Sequence, residues 1–431
     1  MNDQLEPAPE KATLAAHLAT LSEINQAINA SLELDVVMDA VMDKVIEVVK
    51  AQRGFLMLRD DESGEMRVKV ARGMNKEDLE TPEFHYSTTI VNQVVKTGQP
   101  LLTSNAEHDP RFALGQSIIA LGLRSCMCVP LRVKNRLIGL VYVDNALRSG
   151  VFQQEDLDLL TAFAAMAGVA LDNARLHEIE VQTARLEREL SMAREIQRSM
   201  LPREWPSLPG YEIAAHWQSA REVAGDFYDI FALSGNRLGV VVADVADKGI
   251  AAALFMAVAR SLIRGNAIAT RFPLDTIHQA NRLMLLESSD SGMFVTVYYT
   301  VFERGGKAIG VNAGHNRPLF YHMREDRIEW LPRGGWAMGW FDNMPLNPCE
   351  ITLQPGDVLV FYTDGLTEAE NADGQFFGQN RVAEIVRHGA RRGWNAGQIL
   401  SGLDEAVQAF IGDTPPFDDL TMVVVRYTGE A

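Results

Sequence analysis

The apolar positions of the chain follow different patterns in successive parts of the sequence. From residue 13 to residue 175, segments with helical spacing alternate with short apolar runs that are typical of strands. From residue 176 to residue 203, apolar residues recur at alternating steps of three and four, which is the repeat of a coiled coil. Residues 204–431 alternate buried strands with helices, and residues 1–12 are polar, which predicts a disordered tail.

Residues 13–175 predict an α+β domain in which an antiparallel sheet is flanked by helices. The helical spacing predicts two helices that break near residues 31–35, and a hairpin follows them. Strands Ser125–Arg132 and Leu137–Asn145 then precede an amphipathic helix that begins near Gln153.

The segment 176–203 predicts a linker helix with an apolar seam. Thr183 and Gln197 are the polar positions of the seam, and Pro202 ends the helix. The pattern predicts a parallel coiled-coil dimer of about three heptads. A single amphipathic helix that lies on its own domain is the alternative. The seam positions are Leu176, Ile179, Thr183, Leu186, Leu190, Ala193, Gln197 and Met200.

Residues 204–431 predict sheets that are covered by helices, and the run Leu238–Asp244 shows the pattern most clearly. This run holds no polar residue before Asp244, so it predicts a strand that is buried on both faces. The next helix, Ala251–Gly265, is apolar nearly all round and is expected to pack on two sides. The predicted strands are Tyr211–Gln218, Asp226–Leu233, Leu238–Asp244, Met293–Glu303, Ala308–Asn312, Pro318–His322, Asp357–Asp364 and Leu420–Tyr427.

Carboxylates stand at the ends of these buried runs. Asp244 and Asp364 each end a predicted strand, Asp418 and Asp419 precede another, and Asp226 opens a fourth. If the strand after Asp419 is antiparallel to the strands that end at Asp244 and Asp364, these carboxylates meet at one edge of a sheet. Such a cluster needs cations. Oxygen ligands without a His or Cys cluster favour Mg²⁺ or Mn²⁺, and two such ions can clamp a phosphate.

Charge and composition restrict the partners and the compartment. A formal net charge of −17 argues against nucleic acid or an anionic membrane as a partner. Three cysteines form neither a disulfide framework nor a zinc motif, which favours a cytoplasmic protein. Cys126 and Cys128 point to one face of a strand, where core packing is expected and a haem, iron or redox site is the alternative. We expect no leader peptide and no membrane span.

Five motifs occur in a fixed order in the second half of the chain. They are Arg-Glu-Val-Ala-Gly-Asp-Phe-Tyr-Asp (221–229), Ala-Asp-Val-Ala-Asp-Lys-Gly (243–249), Asn-Ala-Gly-His-Asn (312–316), Tyr-Thr-Asp-Gly-Leu-Thr-Glu (362–368) and Phe-Asp-Asp-Leu-Thr (417–421). Together they resemble the PPM family of metal-dependent protein serine/threonine phosphatases, and more narrowly its SpoIIE branch, typified by the sigma-factor regulator RsbU. The resemblance spans residues 195–427 and implies an α-β-β-α sandwich.

The resemblance also implies a role for each carboxylate. Asp244 would bridge two divalent cations, Mn²⁺ or Mg²⁺, with the carbonyl oxygen of Val245 as a further ligand. Asp364 and Asp418 would complete the ligand shell of one cation, and Asp226 would serve the other, directly or through water. These four aspartates are the candidate catalytic residues.

Further polar residues of these motifs have other expected roles. Arg221 is the candidate phosphate-binding residue, because a guanidinium binds phosphate through two parallel hydrogen bonds; a surface ion pair is the alternative. Asp419 is the weaker candidate ligand of its pair. We expect Asp229 and Asp247 to be solvated or to stabilise turns, and His315 to cap a turn rather than to act as a general acid.

Residues 13–175 resemble a GAF domain, the small-molecule-sensing or dimerising module of many signalling proteins. The segments SCMCVPL, RLIGLVYVDN and FQQEDLDLLTAFAAMAGVALDNARL carry this resemblance. Members that bind cyclic nucleotides have an Asn-Lys pair and, downstream, a Phe that is separated by three residues from Asp-Glu. This chain has Asn135-Arg136 and then Phe152-Gln-Gln-Glu-Asp, so both the basic residue and the spacing differ, and no cyclic nucleotide is expected here. Asp109 and Asp144 are interpreted as solvated loop positions.

The two resemblances imply a GAF-regulated protein serine/threonine phosphatase. Its implied substrate is a phosphorylated STAS-domain anti-sigma-factor antagonist in bacterial partner-switching signalling. An unidentified small molecule or protein would act at the GAF domain, and the linker predicts a homodimer. A catalytically silent, metal-stabilised interaction module is one alternative, and a ligand sensor whose phosphatase half signals only by docking is another.

Overall fold

The computed structural model describes Gln26, Ile28 and residues 30–60, 63–73, 86–104, 125–145, 150–288 and 292–429. The chain divides into two compact units, Met1–Leu186 and Glu187–Ala431. Each unit has its own sheets and its own apolar core. The predicted tail, residues 1–12, lies outside the described residues.

The first unit has the α+β organisation that the sequence predicts. Its elements are α1 (Leu34–Val49), β1 (Arg53–Arg59), β2 (Met66–Arg72), α2 (Thr88–Thr97), β3 (Leu101–Thr103), β4 (Ser125–Val133), β5 (Arg136–Asn145) and α3 (Gln154–Met200). The strands form an antiparallel sheet in the order β2-β1-β5-β4-β3. Apolar residues of α1 and of the first part of α3 pack on one face, and α2 packs on the other.

Cys126 and Cys128 lie in the core between the sheet and α2. Both side chains are buried beside Phe55 and Tyr142, and neither forms a disulfide. Burial raises the pKa of the Cys128 thiol far above its usual value, which keeps the sulfur protonated and unreactive. This environment fits the core role expected from the sequence.

Asp144 is a buried residue and not a solvated loop position, so that interpretation is wrong. It lies in β5 opposite Arg53 of β1, and both Asp144 oxygens accept hydrogen bonds of 2.7 Å from the Arg53 guanidinium. Neighbouring strands place the two side chains opposite each other, and burial of either charge without the other would be costly. The sequence alone did not reveal this pairing across the sheet. Asp109 lies outside the described residues.

Helix α3 is a single continuous helix of 47 residues that begins in the first unit and ends in the second. The sequence predicts its two halves separately, as a closing helix and a linker helix. Nothing between Gln154 and Met200 stops the helix, because proline first returns at Pro202. The predicted helical linker is therefore present.

The second unit begins within α3 and alternates strands with helices. Its further elements are β6 (Tyr211–Gln218), β7 (Phe227–Leu233), β8 (Arg237–Val245), α4 (Ile250–Ala269), α5 (Pro273–Ser288), β9 (Val295–Phe302), β10 (Lys307–Ala313), β11 (Leu319–His322), β12 (Arg327–Trp330), β13 (Pro348–Thr352), β14 (Val358–Tyr362), α6 (Asp364–Thr367), α7 (Gly378–Arg391), α8 (Ala396–Ile411) and β15 (Leu420–Tyr427). The short strands β3, β12 and β13 are not predicted from the sequence, since they are too brief to show a clear period.

These strands form two sheets that face each other, in the orders β13-β10-β9-β8-β7 and β12-β11-β14-β15-β6. Tyr298 and Phe302 of the first sheet meet Phe361 of the second, with ring centroids 5.5 and 6.4 Å apart. Helices α4 and α5 pack on the first sheet, and α7 and α8 pack on the second. The unit is therefore an α-β-β-α sandwich.

Helix α4 packs against the first sheet and against α5, as the sequence predicts, but its outer face is exposed. Ile250, Leu254 and Val258 form a stripe on its outer face and are 55%, 66% and 44% exposed.

Helices α3 and α4 are long and apolar enough to cross a membrane by length and composition alone, although buried core helices pass the same test. The sequence analysis expected no apolar segment of membrane-spanning length, and that expectation is therefore too strict.

Candidate metal centre

The two sheets place the predicted carboxylates at one end of the sandwich. Antiparallel pairing of β7 with β8 sets Phe227 opposite Ala243, so Asp226 and Asp244 lie at the same end of the first sheet. Pairing of β14 with β15 likewise brings Asp364 and Asp418 to one end of the second sheet. The expectation that all the carboxylates share the edge of a single sheet is wrong, because two sheets contribute them.

Asp226 is the most deeply buried carboxylate of this group. It is 2% exposed, and its Oδ2 accepts hydrogen bonds from the hydroxyls of Thr363 at 2.5 Å and Thr421 at 2.9 Å. These threonines belong to the facing sheet, so the hydrogen bonds connect the two sheets. Burial and the charges of Asp244 and Asp419 raise the pKa of Asp226 well above its usual value.

Asp244 and Asp364 lie in a strongly negative environment. Burial, followed by the charge of Asp364, raises the pKa of Asp244 to about 7. Burial and the charges of Asp418 and Glu368 raise the pKa of Asp364. Since each carboxylate raises the pKa of another, their ionised forms are compatible only if positive charge is supplied.

Lys248 lies beside this group and is a residue whose role the sequence analysis missed. Its ammonium lies 2.9 Å from an Asp418 oxygen and donates a hydrogen bond of 2.9 Å to the carbonyl oxygen of Phe417. The signal in the sequence was its place in the motif Asp-Val-Ala-Asp-Lys-Gly, four residues after Asp244. Asp418 is therefore oriented by a cation from the loop that follows β8.

Asp419 holds a loop in place. Its Oδ1 accepts a hydrogen bond from the N–H of Ala220, and its Oδ2 accepts them from Gly225 and Asp226. Its backbone lies so close to Gly365 that a side chain there would begin 1.9 Å from the Asp419 carbonyl oxygen, which only glycine permits. With both oxygens occupied by backbone donors, Asp419 fits the expectation that it is the weaker candidate ligand of its pair.

The loop 219–225 that Asp419 holds carries Arg221 and leads directly to Asp226. Arg221 is exposed, so its guanidinium lies on the surface of this loop. From the other side, the Gln197 side chain accepts a hydrogen bond of 3.0 Å from Ala224 N–H and donates one of 2.6 Å to its carbonyl oxygen. Gln197 is a predicted position of the linker seam, and its contact with this loop could not be foreseen from spacing alone.

The carbonyl oxygen of Val245 faces the same loop. A side chain at Gly225 would begin 3.1 Å from this oxygen, so the loop passes closely over the end of β8. All five predicted ligands thus belong to one continuous region: Asp226, Asp244, Val245, Asp364 and Asp418.

The contacts of His315 and Asp247 indicate that both residues stabilise the local structure. Asn312 bonds to both the N–H and the carbonyl oxygen of His315, and the Nδ1 atom of the ring lies 2.7 Å from the hydroxyl of Thr296. Burial lowers the pKa of His315 to about 3, so the ring is neutral at physiological pH. Asp247 has a φ of +78° and accepts a hydrogen bond from Lys248 N–H, which fits the expected turn role.

Asp229 is the exception among the expected turn residues. It is 1% exposed, and its carboxylate contacts Arg260 at 3.1 Å and Arg264 at 3.0 Å, both from α4. The expectation of a solvated or turn position is wrong because the fold supplies two cations from a different element. Its role is to anchor α4 on β7.

The donor set fits hard divalent cations. Carboxylate and carbonyl oxygens are the ligands that Mg²⁺ and Mn²⁺ prefer, and the raised pKa values of Asp226, Asp244 and Asp364 show where positive charge is needed. In the described ranges no three His, Cys, Asp or Glu side chains are already arranged as a closed ligand cage. The fit therefore rests on donor chemistry and charge, and metal binding would need the side chains to move.

Comparison with known proteins agrees with this geometry. Residues 234–428 match the family described as Stage II sporulation protein E (SpoIIE), and residues 33–171 match the GAF domain family. The chain is 32% identical over 267 residues to Protein IcfG of Synechocystis sp., a match that covers 55% of this chain and 41% of IcfG. It is 23% identical over 239 residues to Phosphoserine phosphatase RsbU of Bacillus subtilis, covering 55% of this chain and 70% of RsbU.

A solved structure shares the fold of the second unit. The SiaA-PP2C domain of Pseudomonas aeruginosa superimposes with a TM-score of 0.50 and 21% identity, covering 57% of this chain and 98% of that domain. The second unit thus has a PP2C-like fold. The chain thus carries a GAF domain that includes residues 33–171 and, after it, a SpoIIE-type PPM phosphatase domain that includes residues 234–428.

Proposed function

We propose that this protein is a metal-dependent protein serine/threonine phosphatase whose activity is regulated by its GAF domain. The observation that carries the proposal is the cluster of Asp226, Asp244, Asp364 and Asp418 at one end of the sandwich. Three of these carboxylates have raised pKa values caused by burial and by one another. A family of phosphatases matches the same region, and RsbU is named as a phosphoserine phosphatase.

Each residue of the site has a proposed part in phosphate hydrolysis. Asp244 would hold both divalent cations, and the Val245 carbonyl oxygen would be a further ligand. Asp364 and Asp418 would hold one of the cations, and Asp226 would hold the other, directly or through water. When bound, two such cations clamp a phosphate and activate water. Thr363 and Thr421 orient Asp226, since both donate to its Oδ2.

Arg221 is proposed to bind the phosphate of the substrate. Its loop, which leads to Asp226, is fixed by Asp419 on one side and by Gln197 on the other, and Arg221 is exposed on it. A planar guanidinium can bind two phosphate oxygens at once, and this makes Arg suited to the task.

A protein substrate, rather than a small phosphoester, is supported by aromatic side chains near the centre. Trp336, Trp340 and Phe341 are 52%, 56% and 43% exposed, and Phe294 stacks on Trp340 with centroids 4.9 Å apart. The carbonyl oxygen of Phe294 accepts a hydrogen bond from Ala246 N–H, directly after Val245. Exposed aromatic patches of this kind mark protein-binding surfaces.

The substrate class and cellular setting follow from the resemblance to the SpoIIE branch. We propose a phosphorylated STAS-domain anti-sigma-factor antagonist as the substrate, partner-switching signalling as the pathway, the cytoplasm as the compartment and a homodimer as the assembly. The signal at the GAF domain would be a small molecule or a protein. The domain limits proposed for the chain are 13–175 for the GAF domain, 176–203 for the linker and 204–431 for the phosphatase.

The test is metal-dependent release of phosphate by the full-length protein. Phosphoserine STAS proteins encoded near this gene should be dephosphorylated with Mn²⁺ or Mg²⁺, and p-nitrophenyl phosphate should be hydrolysed under the same conditions. Chelation by EDTA should stop both reactions, and added metal should restore them. Turnover of p-nitrophenyl phosphate without turnover of any STAS protein would point to another phosphoprotein, and full activity in EDTA would exclude the metal mechanism.

A further inference from the structure

A groove of about 580 Å³ opens beside Asp418 in the second unit. One wall is the segment 368–374, which follows α6, and the other is the segment 411–418, which leads into β15. Apolar side chains, among them Val407 and Phe417, form part of its lining. Phe417 is 74% exposed, and such a large apolar ring presented to solvent beside a cavity indicates that a partner covers it.

Both walls of the groove are fixed by hydrogen bonds. The Oδ1 atom of Asn371 accepts hydrogen bonds from the N–H groups of Asp373 and Gln375, so the tip of the first wall is a tight turn. On the second wall, Lys248 donates to the carbonyl oxygen of Phe417, and its ammonium lies 4.1 Å from the centre of the Phe417 ring. A groove that is already ordered loses little conformational entropy when a partner binds.

The charged side chains that line the groove are all carboxylates, and the neighbouring Lys248 ammonium is paired with Asp418 at 2.9 Å. Glu368, Glu370, Asp373 and Asp418 contribute carboxylates to the lining, and the described residues that line it include no Lys, Arg or His. Glu370 and Asp373 line the groove and are exposed, and neither is among the carboxylates proposed to hold metal. An apolar floor with a carboxylate rim complements a side chain that has an apolar stem and a cationic end.

We propose that this groove binds an Arg or Lys side chain of the phosphoprotein substrate, a few residues away from its phosphoserine. The inference rests on the proposed function, because the groove ends at Asp418, a proposed metal ligand. A phosphoserine that reaches the metal centre must lay its neighbouring residues on the adjacent surface, and an extended chain advances about 3.3 Å per residue. The groove thus selects among phosphoproteins by the charge next to the phosphorylated residue.

The test uses the full-length protein with Mn²⁺ and synthetic phosphoserine peptides of equal length. The peptides carry Arg, Ala or Glu at successive positions on each side of the phosphoserine, and kcat/KM is measured for each. At the preferred position, kcat/KM for the Arg peptide should exceed kcat/KM for the Glu peptide by about tenfold, as expected for two partly exposed ion pairs.

Variants of the rim separate charge recognition from damage to the fold. In the double variant Glu370→Gln/Asp373→Asn, the ratio of kcat/KM for the Arg peptide to kcat/KM for the Glu peptide should fall to about two or less. The charge reversal Glu370→Arg/Asp373→Arg should invert the preference, a result that misfolding cannot produce. Glu384→Gln, an exposed acidic position of α7 that does not line the groove, is the matched control and should keep the wild-type ratio.

Two outcomes would overturn the proposal, and a small substrate distinguishes them from failure of the proposed function. Equal kcat/KM for the Arg and Glu peptides in the wild-type protein, or an unchanged preference in the charge reversal, would exclude the groove as the selector. p-Nitrophenyl phosphate is too small to extend into the groove. If it is hydrolysed while the peptides show no preference, only the groove proposal fails; if neither it nor any peptide is hydrolysed, the phosphatase function fails as well.

Discussion

Aspartate serves three different purposes within a small region of the second unit. Asp419 accepts backbone hydrogen bonds and holds a loop, and Asp229 is neutralised by two arginines. Asp244 and Asp364 instead lie among other carboxylates; burial, followed by these neighbouring charges, raises their pKa values. The surroundings, and not the residue type, therefore distinguish a candidate metal ligand from a structural carboxylate.

Neutralising a proposed metal ligand should abolish turnover. In Asp244→Asn and in Asp364→Asn, the loss of one negative charge weakens the hold on the cations, and kcat/KM should fall at least about a hundredfold. Folding should survive, because each change also removes repulsion between carboxylates. Asp275→Asn, at an exposed position of α5, is the control and should keep its activity. Near-normal turnover in either variant would contradict the metal assignment.

Replacing Arg221 should affect substrate binding more than metal binding. Arg221→Ala should raise KM for a phosphoprotein about tenfold or more, the effect of losing a charged hydrogen bond. The Mn²⁺ concentration at half-maximal activity should change little. Arg221→Lys should rescue only part of the loss, because an ammonium lacks the planar fork. An unchanged KM would return Arg221 to the role of a surface charge.

His315 should make the second unit less stable at acid pH. Its folded pKa of about 3 lies below the ordinary value of 6.5. Between pH 6.5 and about 3 the imidazole is protonated in the unfolded protein and neutral in the folded protein. The contribution of His315 to the free energy of unfolding is therefore complete above pH 6.5 and declines as the pH falls.

The prediction is tested with His315→Asn in urea unfolding followed by tryptophan emission. Lowering the pH from about 7.5 to about 5.5 should cost the wild-type protein about 1 kcal/mol more than the variant. All tryptophans of the chain lie between Trp205 and Trp394, so the emission reports the second unit alone. Parallel pH profiles would show that His315 is protonated normally in the folded protein.

At the scale of elements, the linker helix α3 changes its surroundings along its length. Leu176, Ile179 and Leu186 of the apolar seam are 57%, 49% and 53% exposed. Further along, Gln197 is buried against the loop that leads to Asp226. The last seam positions therefore pack on their own domain, as the single-helix alternative expects, whereas the earlier ones remain available for a coiled-coil partner.

Disrupting the exposed part of the seam should weaken a dimer. The pair Leu186→Asp and Leu190→Asp places charges in the predicted contact, so light scattering should show monomers or loosened dimers with altered basal activity. Val181→Asp, at an exposed apolar position outside the seam, is the matched control and should keep the assembly state of the wild type. A wild-type protein that is monomeric at tens of micromolar, roughly the range where weak association shows, would exclude the predicted coiled-coil dimer.

At the scale of the whole molecule, the metal should stabilise one unit and not the other. The carboxylate cluster lies entirely within the second unit, so a cation that binds its folded form raises the stability of that unit. With Mn²⁺ at about one hundred times its dissociation constant, the gain should be about 2.7 kcal/mol. Thermal unfolding followed by tryptophan emission should shift upward with Mn²⁺, and less so in Asp244→Asn. No shift at saturating Mn²⁺ would mean that the cluster does not bind it.

The sequence by itself determined the order of the elements and the identity of the candidate ligands. Long buried runs such as Leu238–Asp244 and the proline after Met200 act locally, so period and composition were sufficient to predict a strand and the end of a helix. The motif order around Asp226, Asp244, Asp364 and Asp418 predicted a SpoIIE-type phosphatase domain. These residues lie at one end of that domain, on two facing sheets rather than at the edge of one sheet as the sequence predicted.

Only the tertiary structure decided how residues far apart in the chain are paired. Arg53 with Asp144, Arg260 with Asp229 and Gln197 with Ala224 are contacts between elements that sequence periodicity does not relate. The same holds for the division of the carboxylates between two facing sheets. A periodic pattern records which face of an element is buried, whereas a partner is chosen by the packing of whole sheets and helices, which depends on all the elements at once.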